Sequence, residues 1–295
     1  MSTTAPAIVA AETPIRSTPV AILELLRRNR GVAVGLALVG LLFAVALLAP
    51  IISPHDPLAT APDDAYLPPL APGHLLGTDE LGRDQLSRVL WGARVSLPVA
   101  FVAVAVGLTV GGLTGLVCGY AGGIVDLLLM RVVDALLAFP ALILAIALVA
   151  ALGPSILNAM VAIGIVAVPV YARLVRGVVL QLKPMEFVVA TRSLGASPLR
   201  IVARHLVPNL VNPILVQVSL SAGFAILAEA TLSFLGLGAQ PPTPDWGQMI
   251  TIGRTFLPND AWLAIVPGAA ISLCVYSFNL LGDSLRDALD PRLRT

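Results

Sequence analysis

Lysine is almost missing from this chain: among 295 residues and 18 basic side chains, only Lys183 is a lysine. A P-loop needs a Gly-rich turn ending in Lys-Ser or Lys-Thr, because the lysine must reach the nucleotide phosphates. Lys183 follows Val-Leu-Gln-Leu and precedes Pro184. The chain therefore has no such loop and is read as a non-enzyme with respect to ATP. Charge of either sign is also scarce, at 12% of residues against roughly 25% in soluble chains. With 57% hydrophobic residues and a mean hydropathy of +0.92, lipid is the expected solvent. The net charge of +1 argues against nucleic-acid binding. The two cysteines, Cys118 and Cys274, lie in apolar runs, which excludes a disulfide framework. His55, His74 and His205 fall in different segments with no HExxH spacing, so no metal site and no bound cofactor are expected.

The chain does contain long apolar runs. Gly31–Ile52 is uncharged throughout and, at 1.5 Å per residue, reaches roughly 33 Å, enough for a hydrocarbon core of ~30 Å. It exceeds a secretory h-region and no A-x-A-like site follows it. Five more spans are expected at Val95–Gly119, Val125–Leu152, Pro154–Tyr171, Leu210–Leu235 and Trp262–Leu281, giving an all-α polytopic membrane protein with six transmembrane helices. Gly107, Gly111, Gly115 and Gly119 recur every fourth residue, a stripe suited to close helix packing.

Orientation follows from the basic residues. With the N-terminus cytoplasmic, six spans return the C-terminus to the cytoplasm. Only Arg83, Arg88, Arg94 and Arg254 then lie outside, beside many carboxylates. The inside segments hold the rest, including Arg16, Arg27, Arg28, Arg173, Arg192, Arg292 and Arg294.

Residues 172–209 form the longest internal polar stretch. Met185–Leu194 reads as a short helix with Gly195 just past its end. Ser197-Pro198 reads as N-cap and first turn of a second helix reaching about Val207, with Pro208 introducing the next span. Two short helices joined at a glycine would make a rigid knob for a partner's groove.

Glu186–Pro208, EFVVATRSLGASPLRIVARHLVP, resembles the cytoplasmic coupling loop, or EAA motif, of bacterial ABC importer permeases. Val189, Ala190 and Thr191 stand at the Glu-Ala-Ala triplet, Gly195 at the glycine and Pro208 at the proline. The family's glutamate is absent at Val189, so no charge contact carries over from that position. His74–Leu97 and Glu229–Ile250 resemble, in the same order, segments of the C-type permease subunit of dipeptide, oligopeptide and nickel importers.

The resemblance implies a type I ABC importer permease fold in the bacterial inner membrane. It implies a homologous B-type permease subunit as partner, two ABC ATPase subunits that carry ATP and Mg, and an extracytoplasmic substrate-binding protein. Glu186, Ala190, Thr191, Gly195, Ala196, Ser197, Pro198 and Pro208 would be the ATPase-coupling residues. The implied division is a cytoplasmic tail 1–30, a first helix 31–53, an extracytoplasmic segment 54–94, a permease core 95–285 with the coupling loop at 184–208, and a cytoplasmic tail 286–295. The implied function is half of the translocation pore of an ATP-driven, binding-protein-dependent importer of dipeptides or oligopeptides, with nickel or glutathione as alternative cargo.

Polar groups inside spans are candidate pore or interface residues. Arg131 and Asp134, at i and i+3, are expected to pair within one helix. For Glu229, with Gln217 and Ser221 on the same span, two readings stand: a pore-facing carboxylate that meets a peptide amine or an inter-subunit partner, and a structural hydrogen bond to a neighbouring helix. Asn158, Asn279 and Asp283 read as helix-packing groups. An ion-coupled secondary transporter remains a competing reading, though it calls for repeated halves with midplane charges, and one deep glutamate without an internal repeat does not match. An intramembrane hydrolase has no GxSxG or zinc signature to support it.

Overall fold

Asn29 opens the first helix, its side chain accepting from the backbone N–H groups of Gly31 and Val32 at 3.0 and 3.4 Å. A computed structural model describes residues 29–289, and within them nine helices carry the fold. Arg16, Arg27, Arg28, Arg292 and Arg294 lie outside the described residues. Helix α1 is Arg30–Ile52 and α2 is Gln85–Ala121, which contains a π-helical turn at Gly107–Gly111. Then come α3 (Gly123–Leu137), α4 (Ala141–Leu152) and α5 (Ile156–Leu182). A short α6 (Glu186–Ser193) leads to the long α7 (Pro198–Phe234). The short helix α8 (Trp246–Gly253) precedes the last helix, α9 (Trp262–Leu289). Helix α2 thus begins at Gln85, ahead of the expected span start at Val95, and α9 runs on past Leu281 to Leu289.

Five of these helices are long and apolar enough to cross a bilayer: α1, α2, α5, α7 and α9. The third expected span, by contrast, is not one straight helix. It breaks at Ala138–Pro140 into α3 and α4, bent by 91°. The cause is local: Pro140 has no N–H to donate and pushes Phe139 out of the helical region.

Two contacts establish that the bent pair crosses the bundle instead of returning to one side. Asp126, near the start of α3, pairs with Arg176 at 2.6 Å. At the other end, Asn158 donates to the carbonyls of Leu152 and Gly153 at 3.0 and 2.9 Å. Both anchors lie on α5, eighteen residues apart, which is about 27 Å along the helix axis. With this crossing, α1 and α9 bring both described ends of the chain to the same end of the bundle.

The glycine stripe explains the tightest packing. A Cβ at Gly111 or Gly115 would lie 2.3 Å from the carbonyl oxygen of Val168 or Ala172 on α5. Gly107 and Gly119 face Ala167 and Val179 of the same helix. The core beneath, with Leu97, Ala103, Ile163, Tyr171, Ile226 and Phe278, ties α2, α5, α7 and α9 together. Gly115→Val forces two backbones apart and is expected to cost at least about 1–3 kcal/mol. The check is the monodisperse fraction of detergent-solubilised chain, which should fall sharply, whereas Gly177→Ala, with open space around its position, should leave it unchanged.

Candidate functional site

The polar loop after α5 is built as a rigid projection. Lys183 anchors its start by donating to the carbonyl of Tyr120 at the end of α2, 2.7 Å away. Pro184 and Met185 turn the chain into α6, whose first turn carries Glu186 and whose last carries Arg192, complementing the helix dipole. Gly195 adopts φ +78°, and the N–H groups of Gly195 and Ala196 bond back to Arg192 and Thr191 at 2.9 and 3.3 Å, a Schellman closure. Thr191 donates to the Phe187 carbonyl, and Ala190 lies on the same short helix. Ser197 caps the next helix by accepting from the Arg200 N–H, with Pro198 in its first turn.

Two faces of this loop differ. Val188, Ile201 and Leu206 are buried with Val175, Val179, Leu182 and Leu210, a second apolar cluster that fixes the loop to the bases of α5 and α7. On the outer face Leu194 is 88% and Leu199 78% exposed, one on each side of Gly195.

The expectation of two separate short helices is corrected. The second runs without a break into the transmembrane helix, so α7 extends from Pro198 to Phe234. A π-helical turn at Val202–Leu206 lets this happen: Pro208 lacks an N–H and its ring crowds the preceding turn, and the wider turn accommodates both. Only residues 194–197, with Gly195 at their turn, separate α6 from α7, and no second joint stands at Pro208.

The other sequence candidates scatter. Asp134 pairs with Arg173 of α5 at 2.7 Å, not with Arg131, which is exposed and in no ion pair among the described residues. The reason is that α3 lies obliquely across α5, so Asp126 and Asp134 face Arg176 and Arg173. The Asp126–Arg176 pair is bidentate at 2.6 and 2.7 Å and rivets α3 just above the loop.

Glu229 is 0% exposed, which corrects the reading of a pore-facing carboxylate. It lies against Ser96 of α2 and Asp245, the N-cap of α8, with neither of its oxygens in hydrogen-bonding geometry. The segment before α8 folds back over α7 and seals it, Ser233 donating to Asp245. Gln217 donates to Ser221 at 3.0 Å one turn on, about 12 Å or more along α7 from Glu229. They form no joint site.

At the opposite end of the bundle from α6, several charges of the segment expected outside are buried, among them Asp79, Arg83, Asp84 and Arg88. Arg88, 2% exposed, meets Asp79 at 3.2 Å and donates to the Pro57 carbonyl. Asp79 also pairs with Arg83 at 2.7 Å. Trp246 of α8 donates to the Val89 carbonyl at 3.0 Å, and Gln85 to that of Leu263. This cap borders a groove of about 440 Å³ lined by Arg94, Pro98, Ser155, Met160 and Gln240. No apolar periodicity marks the cap in the sequence.

His55 and His74, placed far apart by sequence, also meet here, their rings stacked 4.8 Å apart beside Asp84. Burial pushes the Asp84 carboxyl up, but hydrogen bonds from Ser87 and His74 and the nearby His55 outweigh it and hold it below the usual aspartate value.

Residues 111–295 match the family model of the binding-protein-dependent transport system inner membrane component, well over half of the chain. The chain belongs to this permease family. Residues 22–69 match a second model, the N-terminal transmembrane domain of oligopeptide transport permease C. The permease is 44% identical to a dipeptide transport system permease protein, DppC, of Alkalihalophilus pseudofirmus, over 92% of this chain and 88% of the relative. It is equally identical to a glutathione transport system permease protein, GsiD, of Pectobacterium atrosepticum, over 92% and 89%. Its fold is similar to that of a chain of the MetNI methionine ABC transporter in inward-facing conformations, with TM-score 0.57, 20% identity and coverage of 70% of this chain and 98% of that one. It is thus a multi-pass membrane permease of an importer family.

Proposed function

We propose that this permease forms one half of the translocation path of an ATP-driven peptide importer, with the loop at α6 as its coupling element. The observation that carries this reading is the pair Leu194 and Leu199, apolar and exposed on a loop whose other face is buried in the bundle. An apolar knob held rigidly by a Schellman turn is suited to a partner's groove and poorly suited to water. The partners are a homologous B-type permease, two ATPase subunits that bind ATP and Mg2+, and an extracytoplasmic binding protein that delivers substrate.

The α6 loop is cytoplasmic in this reading, as are both termini, and the excess of arginine on that side supports the assignment. Closure of the ATPase pair on ATP displaces α6. Lys183 and Gly195 carry the displacement into α5 and α7. Helices α2 and α3, fastened to α5 by the glycine face and by Asp126–Arg176, move with it. The path then opens alternately to the two sides. The groove beside Arg94 lies at the outer mouth, where a peptide leaves its binding protein, and a guanidinium there complements a peptide carboxylate.

The names of the relatives support small peptides as substrate, and the equal identity to a glutathione permease keeps that tripeptide in the same class. The test is uptake of a labelled dipeptide, and separately of glutathione, into proteoliposomes holding the assembled complex, with ATP inside and binding protein outside. Uptake that requires both ATP and binding protein supports the proposal. Uptake driven by an ion gradient without ATP replaces it with the secondary-transporter reading.

A further inference from the structure

We propose that His55, His74 and Asp84 form a binding site for a first-row divalent transition-metal cation, with Zn2+ as the representative ion, at the end of the bundle opposite the coupling loop. One ligand atom from each of the three residues lies within 4.8 Å of the others. His74 Nδ1 is 2.9 Å from Asp84 Oδ1, and His55 Nδ1 is 3.7 Å from the same oxygen. Ligands at about 2.1 Å from a tetrahedral ion stand roughly 3.4 Å apart, so these two separations bracket the required edge. The remaining edge, between the imidazoles, closes by a small movement of the His55 ring, whose side chain is 41% exposed.

The carboxylate is already oriented for this role. Asp84 Oδ2 accepts from both the N–H and the hydroxyl of Ser87, at 2.8 and 2.7 Å, as the N-cap of α2. That leaves Oδ1 turned to the two imidazoles. A backbone bridge between Thr78 and Asp84 and another between Ala71 and His74 hold the loop that carries His74. Outer-sphere contacts of this kind fix the aim of metal ligands. Two imidazoles and one carboxylate favour Zn2+, Ni2+ or Co2+ over Ca2+ or Mg2+, which prefer all-oxygen shells. Three protein ligands leave a fourth position open on the exposed His55 side, for water or for a donor from a partner. The bound ion clips the segment leaving α1 to the loop and the start of α2, three places that sequence separates by up to 29 residues.

The experiment is equilibrium dialysis of the full chain, purified in detergent with a tag free of histidine, against Zn2+ in the presence of excess Mg2+. About one Zn2+ per chain is expected. His55→Ala and His74→Ala should each weaken binding by at least about tenfold, and His205→Ala, at the other end of the bundle, should not. His55 is the decisive position: its backbone N–H, not its side chain, bonds Ser87, so alanine there leaves the local fold intact even if His74→Ala does not fold. Absence of stoichiometric Zn2+, or the same affinity in His55→Ala as in the parent chain, overturns the proposal. Uptake assays are not needed, so the result stands apart from the peptide-import reading.

Discussion

Leu194→Asp combined with Leu199→Asp should strip the ATPase subunits from the permease and abolish ATP-dependent uptake while the bundle stays folded. Burying a leucine contributes about 1.5–3 kcal/mol, and both side chains are mostly exposed in the free chain. Losing two such contacts in a docked complex lowers affinity by roughly 10²–10⁴ at 1.4 kcal/mol per tenfold. Folding should change little, because substitutions at exposed positions usually stay within about 0.5 kcal/mol. Co-purification in mild detergent, with uptake measured in parallel, reads both effects. Val188→Asp is the contrast: that side chain is buried in the cluster beneath the loop, so it should fail by unfolding. If the double variant keeps its ATPases and transports normally, the exposed leucines do not dock.

Arg88→Ala should be the most damaging single change at the end of the bundle opposite α6. Removing one partner of a buried ion pair typically costs about 3–5 kcal/mol, since the other charge is left uncompensated. Asp79 retains Arg83 at 2.7 Å, which places the expected loss near the lower end, about 3 kcal/mol. The Pro57 carbonyl loses its donor as well, which removes one of the ties between the segment after α1 and α2, beside the bond from His55 N–H to Ser87. Thermal unfolding of the solubilised permease should show a clear drop in midpoint. Arg94→Ala, an exposed neighbour on the same helix, should be nearly neutral for stability. Equal behaviour of the two variants would contradict the view that the buried network holds the cap.

The transmembrane helices were readable from sequence because lipid imposes one strong condition, an uncharged run of sufficient length. The turn at Gly195 and the cap at Ser197 were readable because both obey local backbone rules. What sequence did not disclose depends on tertiary placement. Pro140 lies inside an otherwise continuous apolar block, and the helix pair on its two sides is bent by 91°. Pro208 marks a helix boundary by local backbone rules, but a π-helical turn absorbs it. Arg131 and Asp134 suited an i,i+3 pair, and only the oblique lie of α3 gives Asp134 to Arg173. Two readings stand for Glu229 in the sequence; burial excludes the pore-facing one, and neither oxygen makes the hydrogen bond that the other requires. The His55–His74–Asp84 cluster joins residues from separate loops, beyond the reach of any spacing rule.

The central claim is that α6 and its flanking leucines face the cytoplasm and seat an ATPase. Leu194→Cys tests it directly, because the native Cys118 and Cys274 are buried and leave the new thiol as the reactive one. In membranes holding the assembled complex, a short thiol cross-linker should join position 194 to an ATPase subunit. In intact cells a membrane-impermeant maleimide should leave that position unlabelled while labelling Leu70→Cys at the opposite end of the bundle. Labelling of position 194 from outside, with no cross-link to an ATPase, would contradict both the orientation and the coupling role.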